Sequence, residues 1–248
     1  MMACNDNRAG IHTITTRDSV LLKNKAVINP YSSIAAIPLP PGFKRINADS
    51  NSFGQWLLHF PLKKDKTVYL YDGTPKANQA AQFAVLDISI GNKNLQQCAD
   101  AVMRLRAEYL FATQQFDNIV FYDNDRKAYA FKPPFTKDHL HQFLQTVFGM
   151  CGTASLAKQL HSVPVKDIQP GDVLIRGGFP GHAVLVMDVA ADAADNKIFM
   201  LAQSYMPAQD IHVLVNVDGR SSPWYYLTDS KKIETPEYVF EVGELRRW

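Results

Sequence analysis

A cysteine, a histidine and a glutamine stand in this chain in settings that suit thiol chemistry. Cys98 follows Gln97 near the start of a predicted amphipathic helix, where the positive end of the helix dipole favours thiolate. His182 follows a glycine-rich stretch that opens a predicted strand, and Gln203 ends the next strand. A thiol nucleophile needs a base and a group that orients the base, so these residues predict a Cys–His site.

The helix that would carry Cys98 is predicted over residues 94–112. Asn94 is a good N-cap residue, and Gln97 completes a capping-box pattern, which places Cys98 at the end of the first turn. The Gln97 side chain and the Cys98 N–H would then donate to a developing oxyanion. Steps of three and four mark the inward face of this helix: Leu95, Cys98, Val102, Leu105, Tyr109 and Ala112.

Residues 169–189 predict a strand, a glycine-rich turn and a second strand that begins at His182. Glycine permits close backbone approach, so the imidazole would face open space. The polar loop at 191–196 predicts an antiparallel return strand, which brings His182 opposite residues 204–206. Within a residue or two of that register, either of two side chains would orient the ring, Gln203 or Ser204. The predicted binding residues are Ser204, Tyr205 and Gln209.

Other interpretations compete with these assignments. A cysteine on an apolar helix face usually serves only to pack the core. Independently, His182 could merely form a hydrogen bond with a turn carbonyl. Cys151, flanked closely by glycines, is a rival nucleophile. It lacks a neighbouring glutamine to serve as an oxyanion donor, which favours Cys98.

The composition argues against several classes of protein. With 248 residues, 46% hydrophobic and 20% charged, the chain has an ordinary globular composition. A formal charge of +2 is too small to indicate a nucleic-acid partner. No stretch approaches the roughly 20 apolar residues of a membrane span. The three cysteines match neither a disulfide framework nor a metal site, so we expect no metal and no cofactor.

The first residues leave two alternatives open. Residues 1–7 lack the charged and apolar regions of a signal peptide. A small residue before Cys4, with polar residues after it, is nevertheless typical of the end of a bacterial lipoprotein signal. Cys4 would then carry lipid, and the protein would lie on a membrane surface. The alternative is an unstructured terminus with an incidental thiol.

Helical patterns come first and strand patterns later, which predicts an α+β protein. We expect a flexible arm over residues 1–30 and a single α+β domain over residues 31–248. The predicted helices cover residues 52–58, 94–112 and 137–160, the last with a break near Gly149 and Gly152. The predicted strands cover residues 68–71, 83–90, 119–122, 128–131, 173–175, 183–189, 198–202 and 211–215.

The order of these motifs resembles papain-like amidases of the CHAP and NlpC/P60 type. The residues that carry the resemblance are Gln97-Cys98, Pro170-Gly171-Asp172, Gly181-His182 and Gln203. It implies a papain-like domain with N-terminal helices packed on an antiparallel sheet. It also implies that Cys98 is the nucleophile, that His182 is the base and that Gln203 orients it. The Cys98–His182 gap is longer than in those families, and glutamine replaces their more typical acid.

The chain also resembles an uncharacterised bacterial family, the domain of unknown function 4846. Four segments carry that resemblance, at residues 95–102, 178–183, 201–209 and 222–225. It implies no activity, only that members are often exported. We therefore expect the cell envelope as location, either periplasmic or lipid-anchored, with the cytoplasm left open.

These features together predict a thiol-dependent hydrolase, either an amidase or a peptidase. Its substrate would be a peptide or a small amide-containing molecule, such as a peptidoglycan fragment. Two other functions on the same scaffold remain open, a ligand-binding module without catalysis and a structural envelope lipoprotein.

Overall fold

The computed structural model describes residues 28–219 and 222–248, and these form four α-helices and thirteen β-strands. The helices are α1 (Phe53–Leu58), α2 (Cys98–Ala112), α3 (Lys137–Met150) and α4 (Thr153–Gln159). The strands are β1 (Lys44–Arg45), β2 (Gln82–Val85), β3 (Val120–Tyr122), β4 (Ala128–Ala130), β5 (His161–Ser162), β6 (Val173–Arg176), β7 (His182–Ala191), β8 (Lys197–Gln203), β9 (His212–Leu214), β10 (Tyr225–Tyr226), β11 (Lys232–Glu234), β12 (Val239–Glu241) and β13 (Leu245–Arg247).

Nine of the described strands form one antiparallel sheet. Seven of them follow the order β2-β9-β8-β7-β6-β13-β5, while β1 pairs with β7 and β10 pairs with β8. The remaining strands form two separate hairpins, β3-β4 and β11-β12. This large antiparallel sheet with few helices confirms the predicted α+β class.

Strand β7 is buried on both faces, which explains its nearly continuous apolar sequence. On one face, Leu185 belongs to the same apolar cluster as Val102 and Leu105 of helix α2. On the other face, Val184 belongs to a second cluster with Phe240 of the β11-β12 hairpin. Helix α2 and this hairpin therefore cover opposite faces of the strand that begins at His182.

The strand predicted over residues 68–71 does not form. Its backbone makes only isolated bridges, from Tyr69 to Pro75 and from Leu70 to Gln209. Gly73, at φ +83°, reverses the chain directly after this segment, and Asp72 fixes the turn by accepting from the Thr74 N–H at 2.9 Å. The early turn leaves too few residues for a continuous ladder, so this prediction was wrong.

The predicted N-terminal arm lies almost wholly outside the described residues. Lipidation of Cys4 falls there too and stays a prediction, as does the domain boundary near residue 30. Across residues 28–219 and 222–248, no helix combines the length and the apolar character that crossing a membrane requires.

Candidate functional site

Cys98 is the first residue of helix α2, one turn earlier in the helix than predicted. Gln97, not Asn94, is the N-cap residue, and its backbone N–H donates to Asp100 Oδ2 at 2.9 Å. Asn94 is engaged elsewhere, since its Oδ1 accepts from the Ala208 N–H at 2.8 Å. The hydrogen bond with Ala208 connects the segment before the helix to the β8–β9 loop. Asp100 completes the N-terminal cap together with Gln97.

The thiol of Cys98 is half-buried, and this changes its acidity. Burial raises the pKa of the Cys98 thiol above its usual range, and the neighbouring Asp100 adds to the rise. The backbone N–H groups of Ala99 and Ala183 stabilise the thiolate but do not overcome burial. The expectation of a thiolate favoured by the helix N-terminus was therefore wrong for the resting protein, in which the thiol is neutral.

His182 is the first residue of β7 and is 1% exposed. Its Nε2 lies 2.8 Å from Gln203 Oε1, at the end of the neighbouring strand β8. Burial lowers the pKa of His182 to about 4, while the hydrogen bond with Gln203 acts in the opposite direction. At neutral pH the imidazole is uncharged, and Gln203, one of the two candidates from the sequence, holds one of its two nitrogens.

Aromatic rings surround the His182 imidazole. The ring centroid of Tyr205 lies 4.8 Å away in an edge-on arrangement, that of Tyr238 lies 5.0 Å away, and that of Phe240 lies 5.8 Å away and stacks. These contacts fix the plane of the imidazole and shield its hydrogen bond with Gln203 from water, which strengthens that bond.

Glycines shape the backbone just before His182. A Cβ atom on Gly181 would lie 2.8 Å from the Arg176 carbonyl oxygen and closer still to Thr153 Oγ1, so a side chain does not fit there. Gly178 has φ +115°, a conformation that L-residues rarely adopt. The close backbone approach that the sequence predicted is thus present, between this loop and the start of helix α4. The prediction that the imidazole faces open space was wrong, because His182 is 1% exposed among three aromatic rings.

Cys98 and His182 line one cleft of about 380 Å³. Two electrostatic effects also relate them. The N–H of Ala183, the next residue after His182, stabilises a Cys98 thiolate. Burial raises the pKa of Tyr205, and the charges of Glu237 and of a Cys98 thiolate raise it further. Tyr205 in turn packs against the imidazole. The fold therefore brings together two residues that stand far apart in the sequence.

Cys151, the rival nucleophile, lines the same cleft and is 7% exposed. It ends helix α3, and its N–H donates to the Val147 carbonyl at 2.7 Å. Burial raises the pKa of this thiol to about 11, with Asp123 and Asp100 adding to the effect. Of the two thiols, that of Cys98 stands at the first residue of a helix, whereas Cys151 follows the last residue of helix α3.

Of the predicted binding residues, Tyr205 lines the cleft and the other two do not. Ser204 is fully buried, with its hydroxyl 2.9 Å from the carbonyl oxygens of both Gln96 and Gln209. Gln209 is 1% exposed. Ser204 thus joins the end of β8 to the segment before helix α2, and Gln209 takes part through its backbone carbonyl. The Gln97 side chain does line the cleft, held by Asn94 Oδ1 at 3.3 Å.

Sequence reasoning missed a charged group behind Gln203. Glu237 accepts from Gln203 Nε2 at 2.7 Å and pairs with the buried Lys76 at 2.6 Å. Asn78 donates to the other carboxylate oxygen at 3.1 Å. Nothing in the local sequence marks Glu237, because it stands in a polar connection between two short strands and reaches the site only through the fold.

Asp100 is a second unexpected feature of the cleft. It is 6% exposed, and burial raises the pKa of its carboxyl to about 8, against the hydrogen bond from the Gln97 N–H. Asp100 is therefore largely protonated at neutral pH. Among residues 28–219 and 222–248, no three His, Cys, Asp or Glu side chains are grouped so that they could share a metal ion.

Comparison with protein families places the chain. The model of the family described as domain of unknown function 4846 matches residues 34–133 and 123–247. The chain belongs to this family. Cys98 lies in the first matched segment, and His182, Gln203 and Glu237 lie in the second. The family description names no activity, and the chain matches no curated protein and no solved structure.

Proposed function

We propose that the protein is a thiol-dependent hydrolase of amide or ester bonds with a papain-like arrangement of Cys98, His182 and Gln203. The observation that carries this proposal is the shared cleft, which both the Cys98 thiol and His182 line, with the imidazole Nε2 held by Gln203 at 2.8 Å. Nucleophile, base and orienting group are the three roles that such chemistry needs.

The protonation states favour general-base catalysis over a resting ion pair. The Cys98 thiol and the His182 imidazole are both neutral at pH 7, because burial disfavours either charge. As sulfur attacks the acyl carbon, the thiol proton passes to Nδ1, the ring nitrogen that Gln203 leaves unbound. The imidazolium returns that proton to the departing amine or alkoxide. Water then hydrolyses the thioester, with His182 again as base, and restores the thiol.

The N-terminus of helix α2 is the proposed oxyanion site. The first backbone N–H groups of a helix have no acceptor within the helix. Those of Cys98 and Ala99 stabilise a Cys98 thiolate, and they would donate to the acyl oxygen once the sulfur is bonded to carbon. Together with the half-buried Gln97 side chain, they would face the negative oxygen of the tetrahedral intermediate. The raised thiol pKa does not affect this role, since the N–H groups act on charge that develops during the reaction.

The cleft favours an uncharged, apolar acyl group. Its lining has no lysine or arginine, and its acid, Asp100, is largely protonated at neutral pH. Two large apolar side chains stand exposed at the cleft, Phe179 at 97% and Met206 at 56%. Exposed apolar groups beside a cleft mark a binding surface, so the preferred peptide or amide would present an apolar residue to the thiol.

Hydrolysis of N-acetyl-L-phenylalanine p-nitrophenyl ester and the matching p-nitroanilide tests this proposal. We expect turnover by the wild type and by Cys151→Ala, and none above the uncatalysed rate by Cys98→Ala. Activity that survives in Cys98→Ala but not in Cys151→Ala would transfer the nucleophile to Cys151. Absence of turnover with esters and anilides of apolar, acidic and basic residues would count against hydrolysis.

A ligand-binding module without catalysis is the second candidate. The raised pKa of the Cys98 thiol favours it, because a neutral, half-buried thiol is chemically quiet. In that case the apolar ester would bind the cleft with equal affinity in the wild type and in Cys98→Ala, without release of nitrophenol.

A further inference from the structure

Glu237 is the charged end of a hydrogen-bond chain that leads to His182. Its Oε2 accepts from both Gln203 Nε2 and the Lys76 ammonium, and its Oε1 accepts from Asn78. Gln203 and Lys76 are 1% and 8% exposed, so water competes little for these contacts.

The charge on Glu237 determines which way the Gln203 amide faces. Burial opposes ionisation of Glu237, but Lys76 and Asn78 outweigh it and hold the pKa of the carboxyl below its usual range. An ionised carboxylate only accepts hydrogen bonds. Gln203 must therefore turn its NH₂ group to Glu237 and its carbonyl oxygen to His182. The two ends of an amide look alike in most structures, and here their chemical partners distinguish them.

The orientation of Gln203 in turn determines where the imidazole proton resides. Oε1 can only accept, so His182 Nε2 carries the proton and donates it across 2.8 Å. A neutral imidazole has one N–H, so Nδ1 keeps its lone pair and can accept the thiol proton. With Gln203 reversed, Nδ1 would carry the proton and could not act as a base.

We propose that Glu237, held in place by Lys76, is a positioning residue that sets the tautomer of His182 through the Gln203 amide. Gln203 stands where the papain-like amidases more typically have an acid. Here the acid is Glu237, which acts on the imidazole through the Gln203 amide. The catalytic consequence rests on the proposed hydrolase function, whereas the tautomer itself does not.

The test compares two double variants that each remove one ion pair. Lys76→Met/Glu237→Leu removes the acceptor for Gln203 without leaving a buried charge unpaired. Arg45→Met/Asp188→Leu is the matched control. Asp188 lies on the same strand as His182, six residues farther along, and its carboxylate pairs with Arg45 at 2.8 Å, outside the Gln203 chain.

The primary readout is the ring ¹⁵N spectrum of His182 at pH 7, assigned by loss of its signals in His182→Gln. We expect the Nε2–H form alone in the wild type and in the control. In the Lys76/Glu237 variant we expect an Nδ1–H population, with kcat reduced in proportion to it. An Nδ1–H form in the wild type, or an unchanged Nε2–H form in that variant, would overturn the proposal.

The two proposals fail in different ways. If the spectra are as expected while the wild type hydrolyses nothing, Glu237 still sets the tautomer and only the proposed enzyme function fails. If the Lys76/Glu237 variant does not fold, the wild-type spectrum alone decides, because an Nδ1–H form there contradicts the chain of hydrogen bonds.

Discussion

Cys98, the first residue of helix α2, and His182, the first residue of strand β7, line the same cleft. The start of the helix therefore lies beside the start of the strand. The backbone N–H of Ala183, the residue that directly follows His182, stabilises a Cys98 thiolate. The proposed function depends on this shared cleft.

Cys98→Ala and His182→Ala should each abolish hydrolysis, and the double variant should be no worse than either single one. The reason is that nucleophile and base act on the same step, so removal of one leaves the other without a role. Measurement of kcat/KM for the three variants checks this. Losses that add in the double variant would mean that the two residues act independently.

The kcat/KM of the wild type should not fall near pH 6.5, where an exposed histidine becomes protonated. Burial lowers the pKa of His182 to about 4, so the imidazole stays neutral and competent as a base down to that pH. We expect kcat/KM in the wild type to vary little between pH 5 and 7 and to fall only below about 5. A fall centred near 6.5 would show that the imidazole titrates as if it were exposed.

Asp100→Asn should stabilise the fold, and by more as the pH rises from 4 to 8. The folded protein keeps Asp100 protonated up to about pH 8, whereas the unfolded chain ionises it near 3.8. The folded state thus binds the extra proton, and the wild type loses stability across this range. Urea unfolding of both proteins at pH 4 and pH 8 measures the difference, and a gap that narrows toward pH 8 would contradict the assignment.

Phe179→Ser should raise KM for the phenylalanine ester by about fivefold, equivalent to about 1 kcal/mol of apolar contact, with kcat nearly unchanged. The phenyl ring is 97% exposed beside the cleft and would cover an apolar acyl group in the bound state. The corresponding glycine ester should show no such change. Val217→Ser, at an exposed apolar position outside the cleft lining, is the control. Equal effects of Phe179→Ser on both esters would remove the argument for an apolar substrate.

Much of the fold could be predicted because strong local patterns agree with the burial. Strand β7 is a continuous apolar run, and the polar loop after it gave the correct antiparallel return to β8. The helix near Cys98 was predicted from its apolar spacing, but its start was not. Asn94 suits an N-cap position better than Gln97, but the fold uses Asn94 to bind the β8–β9 loop, and Gln97 with Asp100 caps the helix.

The candidate site was predicted in part for the same reason. Antiparallel pairing predicted that the end of β8 lies opposite His182 and left Gln203 and Ser204 as alternatives, and the hydrogen bond with the imidazole is made by Gln203. Glu237 was not identified, because its contact with Gln203 depends on how the β11-β12 hairpin covers the sheet. The acidity of the Cys98 thiol was predicted in the wrong direction, since the helix dipole can be read from sequence but the depth of burial cannot.

Trapping the acyl group on the protein tests the central claim most directly. After rapid acid quench of a reaction with N-acetyl-L-phenylalanine p-nitrophenyl ester, peptide mass spectrometry locates any covalent adduct. We predict a thioester on Cys98 that accumulates in the wild type, is greatly reduced in His182→Ala and is absent in Cys98→Ala. An adduct on Cys151, or turnover with no adduct on any cysteine, would contradict the account.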